Sequence, residues 1–249
     1  NGKTIQDFAA MYLSTPDEAY VLLKELDIDY LVVFVAGEKL QVKSNLGESL
    51  YVLNGGGDES KKPWFMRIAQ VPLEKYLNWK GVLSEPSPQW HDKLKKNRPC
   101  ANIISECIWS ESNKELNFFE SDVGELSSLE NFKENDKISM PGNTQARLKN
   151  GKNIIVKTIS LNDAIEKQFN SKSPSYISID TEGSEYEILK NFNFKKYRPL
   201  VFTIEHNFTE LQLKIDELMF LNNYTRVFKS LTAFDAWYVE RSIFNEINV

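Results

Sequence analysis

Residues 176–189, YISIDTEGSEYEIL, constrain what this chain can fold into more than any other stretch. Tyr176, Ile177 and Ile179 read as a short buried strand, and Asp180, Glu182 and Glu185 follow within a turn's reach of its end. Gly183 stands among the acids, where a backbone without Cβ can turn sharply or let a ligand approach. From Ser184 the pattern becomes helical, with Tyr186, Leu189 and Phe192 at helical spacing. A strand that ends in acids and passes straight into a helix is how open α/β sheets build ligand sites. The same residues also have a purely structural reading. Ser184 and Glu187 have capping-box spacing, and acids in a first helical turn suit the helix dipole. That reading bears on Glu185 and Glu187 more than on Asp180, which precedes the cap.

The rest of the chain repeats the alternation. Residues 3–25 and 64–77 read as helical, residues 30–36 as a buried strand, and residues 39–53 as a hairpin. Strands are expected at 81–84, 102–109 and 115–119, then a long polar irregular stretch at 124–149. Asn150-Gly151 signals a hairpin between residues 146–149 and 153–158. Ser160 is expected to cap a helix over 161–169, and a buried strand over 200–205 ends in Glu205-His206-Asn207. A helix over 209–221 and two strands near 224–229 and 233–240 close the chain. Strands alternating with helices from residue 81 onward predict an α/β fold with a mostly parallel sheet.

The 81–84 strand ends in Glu85, and Ser87 and Pro88 then open a helix as N-cap and first helical residue. An acid at the carboxyl end of such a strand can accept two hydrogen bonds from a ribose diol.

Composition excludes several classes. The net charge of −5 argues against a nucleic-acid-binding surface as the main function. The two cysteines, Cys100 and Cys107, and two histidines, His91 and His206, fit neither a disulfide scaffold nor a zinc motif, and no metal site is expected. No apolar run reaches membrane-spanning length. No signal peptide is visible, so the expected location is cytoplasmic. The chain starts at Asn1 without a methionine and reads as a fragment. The acceptor patterns at Asn207 and Asn223 read as chance matches without a secretion signal.

Two resemblances add to this. The stretches TPDEAYVLLKELDIDYLVVFVAG and GGGDESKKPWFMRIA resemble the region after the membrane domain of oligosaccharyltransferase catalytic subunits. Asp58 and Lys61 match that family's Asp-x-x-Lys motif, which helps recognise the acceptor sequon, while Phe65 stands where Met or Ile is usual. The family's membrane region, metal-binding acids and WWDYG motif are absent from this sequence, so the resemblance implies no glycosyl transfer.

The second begins near Leu73. GVLSEPSPQWHDKL, ISECIWS, SYISIDTEGSEYEIL, TIEHN and FDAWYV, in that order, resemble the FkbM family of S-adenosylmethionine-dependent methyltransferases. The division this implies is an oligosaccharyltransferase-like segment at 1–72 and a methyltransferase domain at 73–249. The implied fold is the Rossmann-like methyltransferase sheet with a C-terminal strand hairpin, and the implied cofactor is S-adenosylmethionine. By carry-over Glu85 binds the ribose, with Ser87 beside it and Ile108 lining the adenine pocket. Asp180 sits at the methyl-transfer mouth, with Glu182, Glu185 and Glu205 on the acceptor side. Family members commonly methylate sugar or polyketide hydroxyls, so the expected partner is a small-molecule or glycan acceptor.

One departure matters. The family opens with a strand and a glycine turn of the type Asp/Glu-x-Gly-Ala-Asn, and nothing before Leu73 matches it. The first strand of the methyltransferase is therefore expected to be missing, with residues 30–37 as the only physical substitute. Weak cofactor binding follows from that expectation.

Methyl transfer to a hydroxyl needs alignment and removal of one proton. Asp180 is the general-base candidate by position, and His206 the second. Three readings are open: an active O-methyltransferase, an inactive methyltransferase-like binding module, and an oligosaccharyltransferase fragment.

Overall fold

The computed structural model describes strands at residues 30–35, 41–42 and 51–52, then residues 80–99, 101–229, 232 and 234–242. The expected helices at 3–25 and 64–77, and Asp58 and Lys61, lie outside the described residues.

A seven-stranded sheet organises the chain. Its strands are β1 (Tyr30–Val35), β4 (Lys80–Ser84), β5 (Asn102–Ile104), β10 (Tyr176–Asp180), β11 (Val201–Glu205), β12 (Tyr224–Val227) and β13 (Asp235–Glu240). Their spatial order is β12-β13-β11-β10-β1-β4-β5. The five strands from β11 to β5 are parallel. β13 runs antiparallel to β11 and pairs with β12 as the C-terminal hairpin. The two short strands β2 (Gln41–Val42) and β3 (Tyr51–Val52) pair antiparallel, as the hairpin expected over 39–53 requires.

The centre of the sheet corrects one expectation. The place of the first strand is filled by β1, which lies between β4 and β10. Phe34 is level with Ser84, and Val35 with Asp180. The sheet thus has the full Rossmann-like methyltransferase order, and its middle strand comes from the segment preceding Leu73.

Strand β11, VFTIE, is buried at all five positions. Both its edges are paired and both faces covered, which is why it reads as a continuous run and not as an alternation. Phe202 packs edge-on with Phe192 at 5.9 Å and with Tyr224 at 5.2 Å. Such aromatic pairs add about 0.5–1.5 kcal/mol each beyond burial.

A second, four-stranded sheet holds β6 (Cys107–Trp109), β7 (Glu115–Ser121), β8 (Ser128–Leu129) and β9 (Gly151–Ser160), in the order β6-β9-β7-β8. The helices among the described residues are α1 (Pro88–Asn97), α2 (Pro141–Lys149), α3 (Leu161–Phe169), α4 (Glu185–Leu189) and α5 (Leu211–Leu221). Ser160 ends β9 and caps α3, its hydroxyl accepting from the Asp163 amide at 3.1 Å.

Three local expectations change. The single strand at 102–109 is two strands in different sheets. The break at Ser105-Glu106 is held by Ser84, whose hydroxyl donates to the Glu106 carbonyl at 2.6 Å, and by the Glu85 amide on the Ile104 carbonyl at 3.0 Å. The hairpin at Asn150-Gly151 is instead a helix-to-strand joint. Pro141 starts α2 as its first residue, and the strand after Gly151 pairs with β7. The polar stretch 124–149 carries two 3-10 turns, β8 and α2. Its polarity reflects contacts to other polar groups, described below. No described helix is long and apolar enough to cross a membrane.

Cys107 gives a simple test of this packing. Burial, and next the nearby Glu85, push its thiol up to about 12. The thiolate is the reactive form. Peptide mapping after iodoacetamide treatment at pH 8 is expected to find Cys107 unlabelled in the native protein and labelled in urea. Native labelling at a rate near that of a free thiol would contradict the burial.

Candidate active site

In open α/β sheets ligands bind beyond the carboxyl ends of the strands, where the strand order reverses. Here that point is β1, with β4 and β5 on one side and β10 and β11 on the other. Glu85 follows β4, Asp180 ends β10 and Glu205 ends β11. The ladders place Val35 opposite Asp180, Ile179 opposite Ile204 and Glu205 opposite Asp235. The acids therefore stand at one level along one edge. Glu85 and Asp180 flank the end of β1, about 10 Å apart as two strand spacings require.

On the β4 side Glu85 is buried, and its Oε1 accepts from the Ser87 amide at 2.7 Å. His91 Nε2 meets the Glu85 carbonyl at 2.7 Å. Ser87 and Pro88 do open α1, as expected, but the Ser87 hydroxyl makes no cap. It donates to Oε1 of Glu120 at 2.5 Å. Glu120 comes from β7, and Lys152 lies 3.0 Å from its other oxygen. Burial works against its charge, but Ser87, Lys152 and the Gln89 amide hold the carboxyl below its ordinary range. A distant carboxylate thus supplies the negative charge that a helix N-terminus favours. Spacing along one strand of sequence could not reveal it. Ile108 lies within the main core beside Ile104 and Ile159.

On the β10 side the turn is tightly specified. Glu182 has φ 56° and Gly183 φ 119°, so two successive residues are left-handed. For glutamate this is uncommon and needs support from its surroundings. Glu185 supplies part of it: its Oε1 accepts from the Thr181 amide at 2.9 Å, the Thr181 hydroxyl at 2.9 Å and the Gly183 amide at 3.0 Å. The capping box read from Ser184 and Glu187 does not form. The Ser184 hydroxyl goes to Thr181 Oγ1 at 2.8 Å, and Glu187 pairs with Lys190. Gly183 is required twice, by its φ and because a Cβ there would come within 2.8 Å of Asn135.

Asn135 belongs to the polar stretch before α2, and the same stretch supplies the main ion pairs. Arg147 is fully buried. It donates through Nη2 to Glu182 Oε2 at 2.6 Å and through Nη1 to Asp136 Oδ1 at 2.7 Å. Its Nε reaches the Leu126 carbonyl at 2.6 Å and Nη1 the Lys133 carbonyl at 2.9 Å. Burial opposes the guanidinium charge, but Asp136 and Glu182 more than restore it. Sequence reading missed Arg147 and Asp136, because nothing in their local pattern marks them.

One carboxylate oxygen from each of Asp180, Glu182 and Glu205 lies within 4.8 Å of the others. Burial, then Asp180, push the Glu182 carboxyl well above its usual range against the pull of Arg147. Burial, then Asp180, Glu182 and Glu185, do the same to Glu205. Burial also raises Glu185, opposed by the Gly183 and Thr181 amides. Partly buried Asp235 is pushed up to about 6 by burial and by Glu185.

His206 lies at the same edge but its ring meets other partners. Its Nδ1 accepts from the Phe208 amide at 3.0 Å, and Nε2 faces Arg226 Nη2 at 3.3 Å. Burial, then Arg226, lower it to about 4, with Asp216 pulling the other way. The imidazole is neutral at pH 7.

The chain is similar in structure to precorrin-6y C5,15-methyltransferase from Geobacter metallireducens GS-15, at 9% identity, with 91% of this chain and 88% of that chain covered and a TM-score of 0.38. That likeness is too distant to carry weight. No curated protein matches the chain. The family described as Methyltransferase FkbM domain matches residues 65–228, which hold five of the seven strands of the main sheet and Glu85, Asp180, Glu182, Glu185 and Glu205. The chain belongs to the FkbM methyltransferase family.

Proposed function

We propose that this chain transfers a methyl group from S-adenosylmethionine to a hydroxyl of a small-molecule or glycan acceptor. The observation that carries the reading is the level row of acids on either side of β1, at the point where the strand order reverses. The donor set fits the cofactor. Glu85 is a buried carboxylate at a strand end, where it can accept from ribose hydroxyls, with Ser87 fixing its orientation. Ile108 is buried in the main core. S-adenosylmethionine supplies an electrophilic methyl carbon on a sulfonium.

The chain's own residues align the acceptor and handle its proton. Asp180, at the mouth, accepts the hydroxyl proton as the acceptor oxygen attacks. Glu205 borders the acceptor side. Glu182 has one oxygen on Arg147 and ties the mouth to α2. Glu185 holds the turn that places both. His206 is a poorer base at neutral pH, since burial and then Arg226 keep its proton affinity low. Residues 1–72 stay proposed as an oligosaccharyltransferase-like segment, here lending β1 to the methyltransferase sheet.

Calorimetry with S-adenosylmethionine on the full chain and on Glu85→Ala tests the cofactor. Loss of one hydrogen bond to a charged group costs about 1.5–3 kcal/mol, or about a ten- to hundredfold weaker Kd. Equal affinities would remove Glu85 from the site. No binding by the unaltered chain would leave the inactive binding module.

A further inference from the structure

We propose that Asp180, Glu182 and Glu205 together hold one hard divalent cation, of the Mg2+, Mn2+ or Ca2+ kind. Their three oxygens already converge within 4.8 Å of one another. Oxygens on Mg2+ stand at about 2.0–2.1 Å from the ion and those on Ca2+ at about 2.3–2.6 Å, so opposite ligands are about 4–5 Å apart. An all-carboxylate set of this kind suits hard ions and not zinc.

The second observation is Glu205 itself. The residue is 4% exposed, and its Oε2 is buried without a hydrogen-bond partner. A buried carboxylate oxygen left bare is costly and rare. An ion at the convergence point gives it a partner. Among the described residues Arg147 pairs with Glu182 through Oε2. Glu182 Oε1 remains for the ion. The edge of the sheet also fixes the three groups independently: Asp180 by β10, Glu182 by the left-handed turn and Glu205 by β11.

Three protein ligands leave about three positions of an octahedral shell for water or acceptor oxygens. An acceptor hydroxyl takes one of these positions, beside Asp180. The ion's role in positioning that hydroxyl rests on the methyltransferase reading. The ion site itself does not.

The test uses the full chain, stripped with chelator and titrated with Mn2+ alone, free Mn2+ being read by electron paramagnetic resonance. One saturable Mn2+ per chain is expected. Glu205→Gln and Asp180→Asn are each expected to weaken it at least tenfold, with far-ultraviolet circular dichroism unchanged. Glu240→Gln, a buried acid at the opposite end of β13, is expected to bind like the unaltered chain. No saturable binding, or equal binding by Glu205→Gln, overturns the proposal. S-adenosylmethionine is absent from the titration, so the two readings fail separately. Mn2+ binding without cofactor binding keeps the ion site and removes the methyltransferase reading; the converse removes the ion site alone.

Discussion

Arg147→Met is expected to destabilise the chain by about 3–5 kcal/mol, as removal of one partner from a buried ion pair does. Methionine roughly keeps the length and the apolar stem, so the loss is of charge and hydrogen bonds. The guanidinium is 0% exposed and sits between Asp136 and Glu182, both also buried. Without it two carboxylates face each other with no cation between them, and the Leu126 and Lys133 carbonyls lose their donor. Domains of this size are stable by only about 5–15 kcal/mol in all, so the variant should lie near the folding threshold. A urea melt followed by circular dichroism reads the shift in midpoint. The double variant Arg147→Met with Glu182→Gln separates charge from packing. It should be less destabilised than the sum of the two single variants, because one uncompensated carboxylate has been neutralised. A single variant with the midpoint of the unaltered chain would mean that the ion pair does not hold α2 to the β10 turn.

The parts of this fold that could be read from sequence are those set by local patterns. Ser160 before an apolar helix period, the run VFTIE, and SIDTEG leading into a helix each carry their own signal. The acids at the strand ends were legible for the same reason. Arg147, Asp136 and Glu120 were not, since their partners are 8 to 35 residues away in the chain and each reads locally as a surface charge. The helix at Pro141–Lys149 hid behind polar residues, because its contacts are polar too: Thr144 donates to Asp136 and Arg147 to both acids. The position of β1 needed the sheet itself. An apolar run such as YLVVFV announces a buried strand, but not which neighbours it pairs with.

Val33→Pro is expected to abolish cooperative folding, or to lower stability by about 3 kcal/mol or more. Val33 is opposite Ser178 on one side and Leu83 on the other. In a central parallel strand every backbone amide bonds to one neighbour or the other. Proline removes that donor, leaves a buried carbonyl unpaired at about 1–3 kcal/mol, and adds the clash of its ring. It is otherwise found at sheet edges, where nothing depends on the missing amide. The consequence reaches the site, because β1 is what separates β4 from β10 and sets the gap between Glu85 and Asp180. A melt of residues 73–249 alone gives the second arm. Lacking β1, that piece should bind the dye ANS and unfold without a sharp transition, as chains with lost packing do. If Val33→Pro melts like the unaltered chain and residues 73–249 fold cooperatively by themselves, then β1 is not the middle of the sheet. The methyltransferase unit would then close without the segment before it.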